Sequence, residues 1–316
     1  MKLCIQIPCL NEEKTLPLVL KDIPKHIPGI DVIQIVVIDD GSTDNTIGVA
    51  KELGVTEFVC HPRRQGLAQS FQDGILRCLE LGADIVVNTD GDNQYPSQDI
   101  PRLIEPILKG RADVAIADRQ VQKIAYFSPF KKLLQRIGTW VLNQAAGTNL
   151  PDGPSGFRAY SRETAIKLNV VTRFSYAMET IVQAGQRGLA IESVTITVNP
   201  KTRESRLFNS NFEHVRRSGG AIFRAFVMYR PYALFLTTSL ILGALALVPF
   251  GRFIWQVFEG NSRGHVQSLI FGAVLMTGAI MSLVLGVIAD LIRINRQLHE
   301  KSLELARKQY LSSYNK

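Results

Sequence analysis

Cysteine is scarce, and its spacing offers no motif: the chain holds Cys4, Cys9, Cys60 and Cys78 and no C-x-x-C pair. That pattern predicts reduced, structural thiols in a cytosolic domain. A leader peptide is not expected, because the strand-like "KLCIQIP" begins at once. No RNA- or DNA-binding motif is present, and the basic residues gather elsewhere, so nucleic acid is not the expected partner. Charge itself is missing from two long stretches, 231–251 and 266–289. At about 1.5 Å per residue, each run as a helix covers roughly 30 Å, the hydrocarbon thickness of a bilayer. Two buried core helices would show the same composition, but the short glycine-containing connection "EGNSRGH" suits a transmembrane hairpin.

The formal net charge is +8 over 316 residues, which calls for an anionic partner. Much of that charge flanks the two apolar runs. Arg216, Arg217, Arg224 and Arg230 precede the first, and Arg293, Arg296, Lys301, Arg307 and Lys308 follow the second. The connection holds only Arg252 and Arg263 against Glu259. Counting positive flanks predicts both termini, and with them the N-terminal domain, on the cytoplasmic side. Between the halves, 211–230 carries Phe212, Val215, Ile222, Phe223, Phe226 and Val227 with arginines interleaved. That reads as amphipathic helix at the membrane surface, broken near Gly219 and Gly220, or as a linker helix packed on the preceding domain.

Up to about residue 198 short β-branched runs alternate with helical patterns. Strands are expected at 3–7, 35–38, 57–60, 85–89 and 114–117, and helices at 12–25, 46–53, 67–81 and 100–109. The alternation predicts a parallel, doubly wound α/β sheet. Ligands of such sheets bind beyond the carboxyl ends of the strands. "PCLNEE" follows the first strand there, "DDGSTD" the second and "DGDNQ" the fourth.

Asp90 and Asp92 are the most informative pair. Two carboxylates that close either stand solvated in a loop or hold a cation. In extended backbone residues i and i+2 point the same way, so both can converge on one ion, and Gly91 lets a ligand approach the backbone. Mg²⁺ and Mn²⁺ take oxygen ligands, and Mg²⁺ typically binds one or two carboxylates and completes its shell with substrate phosphates and water. The pair is therefore a candidate D-x-D site for a nucleotide diphosphate.

The ordered series "IPCLNEE", "VVIDDGSTDNT", "TDGDNQYP" and "DGPSGFRAYSRE" resembles family 2 glycosyltransferases of the GT-A fold, which implies a Rossmann-like, mostly parallel sheet. The resemblance extends to the dolichol-phosphate mannose synthase branch, and within it to bacterial polyprenyl-phosphate glycosyltransferases with two C-terminal membrane helices. It covers about residues 3–206 by motif. It implies that Pro8 and Glu12 lie against the nucleoside, with Glu12 also suited to a helix first turn. It directs Asp40 to base or ribose, and leaves Asp44 as a helix N-cap. Metal falls to Asp90 and Asp92, with Gln94 contacting substrate and Arg119 facing substrate phosphate, unless Arg119 makes a surface ion pair. Asp152 is implied near the acceptor, where Asp-Gly-Pro is also a turn signal. Arg158 then pairs with Asp152 or with phosphate. "RESRLF" resembles a phosphate-binding loop with Arg206 at a lysine position, but Arg203 replaces the usual glycine there.

The resemblance thus implies inverting transfer of a sugar from a UDP- or GDP-linked donor to a membrane polyprenyl phosphate, with Mg²⁺ or Mn²⁺ as cofactor, in a bacterial cytoplasmic membrane; a homo-oligomer is compatible with it. A processive polysaccharide synthase would need a Q-x-x-R-W element, which "LQRIGTW" and "AGQRG" do not supply. A non-catalytic nucleotide-sugar binder would be expected to have lost a site aspartate. The expected domains are a catalytic domain at 1–210, interface helices at 211–230, a hairpin at 231–292 (spans about 231–256 and 266–291) and a basic cytoplasmic C-terminal helix or tail at 293–316.

Overall fold

A computed structural model describes residues 1–120, 129–170, 176–199, 231–259 and 266–314. Arg203, Arg206, the amphipathic stretch at 211–230 and the connection at 260–265 lie outside the described residues. The chain divides into two compact units, Met1–Ile222 with Glu300–Lys316, and Phe223–His299.

The first unit is built on strands β1 (Lys2–Cys9), β2 (Val32–Asp39), β3 (Glu57–Cys60), β4 (Ile85–Asn88), β5 (Val114–Asp118), β6 (Arg158–Ser161) and β7 (Ile191–Thr195). Helices α1 (Leu16–Asp22), α2 (Thr46–Glu52), α3 (Leu67–Glu80), α4 (Ile100–Leu108), α5 (Pro129–Ala146), α6 (Arg162–Lys167) and α7 (Tyr176–Gln186) connect them. The seven strands form one sheet in the order β3-β2-β1-β4-β6-β5-β7. All neighbours are parallel except β6, which runs antiparallel to both β4 and β5. This is the mostly parallel α/β sheet of the GT-A-like fold that the resemblance implies; the alternation of runs by itself predicts a parallel sheet, which β6 interrupts.

β1 is buried along nearly its whole length, as a central parallel strand covered on both faces must be. Leu3, Ile5, Ile7, Val37, Val87, Phe157 and Ala159 join one core with Leu16, Val19 and Leu103 from the helices. The chain winds outward from β1 to β3, then returns to place β4 on the other side of β1. The crevice of this topological switch lies between the ends of β1 and β4, so the loops after Cys9 and Asn88 face each other there.

α1 is shorter than the pattern at 12–25 suggests. A turn from Glu12 to Thr15 precedes it, in which the Glu12 carbonyl accepts from the Thr15 and Leu16 amides. α3 buries Phe71, Ile75, Cys78 and Leu79 on one stripe, at the 3–4 residue spacing of an amphipathic helix. The Ser161 side chain caps α6 by accepting from the Thr164 amide.

Residues 300–314 belong to this unit. Arg307 donates to the backbone carbonyls of Ile166 and Leu168. Arg187 pairs with Glu300 at 3.4 Å and Glu304 at 3.5 Å. Tyr310 donates to Glu80 at 2.9 Å, and Arg77 reaches the Tyr314 hydroxyl at 3.3 Å.

The second unit contains α8 (Pro231–Phe258) and the first part of α9 (Val266–Tyr314), a helix of 49 residues. Both helices are long and apolar enough to cross a membrane. They pack through small residues, as membrane helices do. The Ser239 hydroxyl donates to the Ala279 carbonyl at 2.8 Å, and Ser282 to Phe235 at 2.9 Å. Any side chain at Gly272 would lie 2.9 Å from the Phe250 ring, and one at Gly286 2.9 Å from Phe235 Cβ. The remaining faces expose Leu240, Ile241, Leu247, Val248, Val274 and Ile280, a surface suited to lipid.

Candidate active site

β4 ends at Asn88 and delivers Asp90 and Asp92 into the switch-point crevice. Asn93, at φ 59°, turns the chain back, and Asp92 accepts from the Gln94 amide at 3.1 Å and from Gln94 Nε2 at 2.8 Å. Gln94 therefore orients Asp92. Gly91 has a further use beside the one the sequence suggests. A Cβ there would sit 2.9 Å from Cys9 Sγ and 3.4 Å from Glu12 Cγ, so the missing side chain lets the D-x-D loop close on the end of β1.

Asp90 lies against the loop that precedes β6. A Cβ on Gly156 would come 2.9 Å from Asp90 Oδ2. Burial, and then the like charge of Asp92, push the Asp90 carboxyl up to about 7, while Arg119 pulls the other way. Among the described residues no group of three or more His, Cys, Asp and Glu forms a ready-made metal cage. Two hard carboxylates whose ionised forms repel each other fit a divalent cation that draws its other ligands from phosphates and water. They do not suit zinc, which favours nitrogen and sulfur donors.

On the β1–β2 side, Pro8 is buried in β1 opposite Ile38. Glu12 is buried; its amide donates to Thr46 Oγ1 at 2.9 Å, and its carboxylate accepts from Thr15 at 2.6 Å. Asp40 is placed as a loop organiser. Its carboxylate accepts from the Gln65 amide at 2.7 Å and the Gly66 amide at 2.9 Å, and it lies 2.9 Å from His61 Nδ1. The other ring nitrogen of His61 is 3.0 Å from Asp73 on α3. Asp44 accepts from the Glu13 amide and from Thr46, tying the first two loops together rather than capping α2 from the N-cap position, which Asn45 occupies.

On the other side, Arg119 and Asp152 form a two-pronged ion pair, Nε to Oδ2 at 2.7 Å and Nη2 to Oδ1 at 2.9 Å. The Arg119 amide and Gln135 Nε2 add donors to the same carboxylate at 3.2 and 3.3 Å. Asp152 is buried, with its side chain 1% exposed, whereas Arg119 remains 17% exposed. Arg158 pairs with neither Asp152 nor an open surface. It is fully buried, and its guanidinium donates to the carbonyls of Ser155, Ala177 and Gly153 and to Thr180 Oγ1 at 2.6–2.7 Å. It pins the 153–157 loop to α7, because a buried guanidinium must spend its donors on fixed acceptors.

Sequence reasoning passed over the groups that brace this wall. Asn88 accepts from Gln6 at 2.8 Å and donates to the Gly156 carbonyl and to the Tyr176 hydroxyl, both at 2.9 Å. Tyr95 accepts from the Gly156 amide at 3.1 Å and stacks on Phe157. The signal for Asn88 and Gln6 is their polar character inside otherwise apolar strand runs, where an amide must find a partner.

A family profile described as Glycosyl transferase family 2 matches residues 4–168. The undecaprenyl-phosphate mannosyltransferase of Micrococcus luteus is 28% identical over 218 residues, 66% of this chain and 88% of that protein. The UDP-N-acetylglucosamine–dolichyl-phosphate N-acetylglucosaminyltransferase of Methanococcus voltae is 26% identical over 60% of this chain and 82% of its own length. A glycosyltransferase of Haloferax volcanii, AglJ, is 27% identical over 304 residues, 92% of this chain and 93% of that one, so this likeness includes the apolar helices. Among solved structures, glucosyl-3-phosphoglycerate synthase from Mycobacterium tuberculosis, crystallised with Mn²⁺ and UDP, superposes with TM-score 0.55 at 21% identity. That superposition covers 72% of this chain and 78% of the synthase, and it shows a shared fold.

Proposed function

The chain belongs to glycosyl transferase family 2, and from that premise we propose that it transfers a single sugar from a nucleotide-diphosphate sugar to a polyprenyl phosphate in the membrane. The observation that carries the reading is the Asp90–Asp92 pair, held at the switch point of a GT-A sheet with burial and like charge pushing the Asp90 carboxyl up to about 7. The transferases of Micrococcus luteus and Methanococcus voltae, whose names specify polyprenyl acceptors, support the acceptor class. The two membrane-length helices suit a lipid that cannot leave the bilayer.

Asp90 and Asp92 would hold a divalent cation such as Mg²⁺ or Mn²⁺, which neutralises diphosphate charge when bound. Gln94 fixes Asp92, and the Gly91 contact with Cys9 fixes the loop. Arg119, gripped by Asp152, presents a guanidinium whose outer edge can receive a phosphate. Asp152 acts through Arg119: both of its oxygens are already engaged, so it holds the cation in place and removes no proton. Glu12 and the loop organised by Asp40 border the nucleoside. Arg158 supports the acceptor-side wall from inside. In the reaction, an oxygen of the acceptor phosphate forms a bond to the anomeric carbon as the bond to the nucleoside diphosphate breaks, inverting that carbon. A phosphate monoester has its second pKa near 6, so at neutral pH the attacking oxygen needs no general base. The basic flanks of the spans support a cytoplasmic face for this chemistry.

The test is transfer of radiolabel from a panel of UDP- and GDP-sugars into an organic-soluble product by the full-length protein in bilayers. Product should require both an added polyprenyl phosphate and a divalent cation. Full activity in excess EDTA, or label appearing only in a water-soluble or polymeric product, would overturn the reading.

A further inference from the structure

α5 has two faces of opposite character. At about 100° per residue, Gln135, Leu142, Ala145 and Ala146 share one side of the helix. Leu142, Ala145 and Ala146 are buried, and Gln135 donates to Asp152 at 3.3 Å. Leu133, Ile137 and Trp140 fall within roughly 60° of one another on the opposite side. They are 52%, 47% and 61% exposed. Leu18, Val32, Leu53 and Leu67, also exposed, stand singly on separate elements, and where the end of α9 exposes Tyr310 and Tyr314 their hydroxyls are engaged by Glu80 and Arg77. A stripe of three on one helix face leaves apolar surface in water at a cost, so it needs a cover.

The residues around the stripe indicate what covers it. Arg136, exposed, borders it on one side, and Lys132 lies one step further round. Tryptophan and leucine on one face with basic residues beside them are the composition of a helix that lies in the headgroup layer of an anionic membrane. The chain carries two membrane-length helices, so a bilayer is at hand.

We infer that the Leu133–Ile137–Trp140 face of α5 is a membrane-contact surface that seats in the headgroup layer of an anionic bilayer. The inference rests on the polyprenyl phosphate reading for its purpose. One helix then touches lipid with one face and the Asp152–Arg119 pair with the other, so a lipid-borne phosphate reaches the site along α5 without leaving the interface. Arg136 faces the lipid phosphates, and the ring of Trp140 sits at headgroup depth.

The chain has two tryptophans, which makes the test direct. With Trp255→Phe, Trp140 becomes the single reporter in the full-length protein, reconstituted in nanodiscs containing anionic lipid. Trp140 emission should be quenched by brominated phospholipid and shielded from aqueous iodide. Quenching by iodide but not by bromolipid overturns the inference, and so does shielding from both, which would mean that protein, from this chain or a second copy, covers the face. In a second measurement, Ile137→Ser with Trp140→Ser should raise KM for a bilayer-embedded long-chain polyprenyl phosphate about tenfold or more, the factor expected for lost burial of one large apolar side chain. Transfer to a short-chain, water-soluble polyprenyl phosphate should be unchanged. Equal loss on both acceptors would mean damage to the Gln135 side and would overturn it. A wild-type protein that uses no polyprenyl phosphate at all sinks the proposed activity, while the quenching result still decides the surface.

Discussion

Asp90 offers the sharpest test of the metal site, because its cost can be worked from the structure. A carboxyl pushed from its ordinary 3.8 up to about 7 costs about 4 kcal/mol more to ionise. The folded state therefore holds this proton more tightly than the unfolded chain does. The associated stability is complete below the unfolded pKa and is lost as pH rises through about 7. Without metal, roughly 2.5 kcal/mol should disappear between pH 5 and pH 8 from this group alone. Asp90→Asn, which cannot ionise, should remove that slope. A divalent cation needs the ionised carboxylate, so its apparent affinity should climb about tenfold per pH unit below 7, with one proton released per ion bound there, and level off above. The assay is thermal unfolding of the detergent-solubilised protein from pH 5 to 8.5 in EDTA and in Mg²⁺ or Mn²⁺, for wild type and Asp90→Asn. Equal pH slopes in EDTA for the two proteins, or a metal affinity that does not change with pH, would refute the reasoning.

Four further outcomes follow from contacts already described. Asp152→Asn leaves Arg119 beside a neutral amide; breaking a buried pair from one side costs about 3 kcal/mol, and turnover should fall at least tenfold while nucleotide-sugar binding persists, so near-wild-type unfolding and turnover would reduce Asp152 to a turn residue. His61→Gln loses one of the two contacts that tie Asp40 to Asp73, and KM for the nucleotide-sugar should rise with kcat little changed; an effect confined to kcat would contradict the loop role. Arg307→Ala removes the donors to the Ile166 and Leu168 carbonyls, about 1–3 kcal/mol of local attachment, and limited trypsin digestion at Lys301 and Lys308 should speed up; unchanged digestion would show that the remaining ion pairs suffice. Cysteine introduced at Ser312 should react with an impermeant maleimide only from the cytoplasmic side, and labelling from the other side would invert the proposed topology.

Much of the sheet was readable because β1, β2, β4 and β5 are continuous apolar, β-branched runs that must be covered on both faces. The D-x-D pair was readable because it follows such a run directly. β6 was not: its four residues "RAYS" include Arg158, and an arginine in a core strand looks like surface until Ser155, Gly153, Ala177 and Thr180 are seen to consume its donors. Asp40 was legible as a site-edge aspartate but not as the residue that organises the Gln65–Gly66 turn, since its donors come from 25 and 26 residues away. The same distance in sequence hid the Arg119–Asp152 pairing, 33 residues apart. Long-range partners are set by topology, and local pattern carries no record of them. The basic charge after 293 marks a C-terminal helix or tail, but nothing in its local pattern shows that α9 runs unbroken to Tyr314 or that its residues from Glu300 on group with the sheet.

The reversed strand β6 also dictates the order in which this chain can fold as it is made. Among the described residues β4 pairs with β1 and β6, and β5 with β6 and β7. After β5 leaves the ribosome it has no partner, and the free edge of β4 stays open until residues 158–161 arrive to bridge the two. Throughout that interval an apolar strand edge is available to other nascent chains. Gly156 and the loop that desolvates Asp90 come with the same late segment, so the energetic cost of burying that carboxyl is deferred until the sheet can close. A polypeptide stopped short of Arg158 should therefore aggregate through β4, whereas one extended past Ser161 gains both the seam of the sheet and the acidic crevice in a single step.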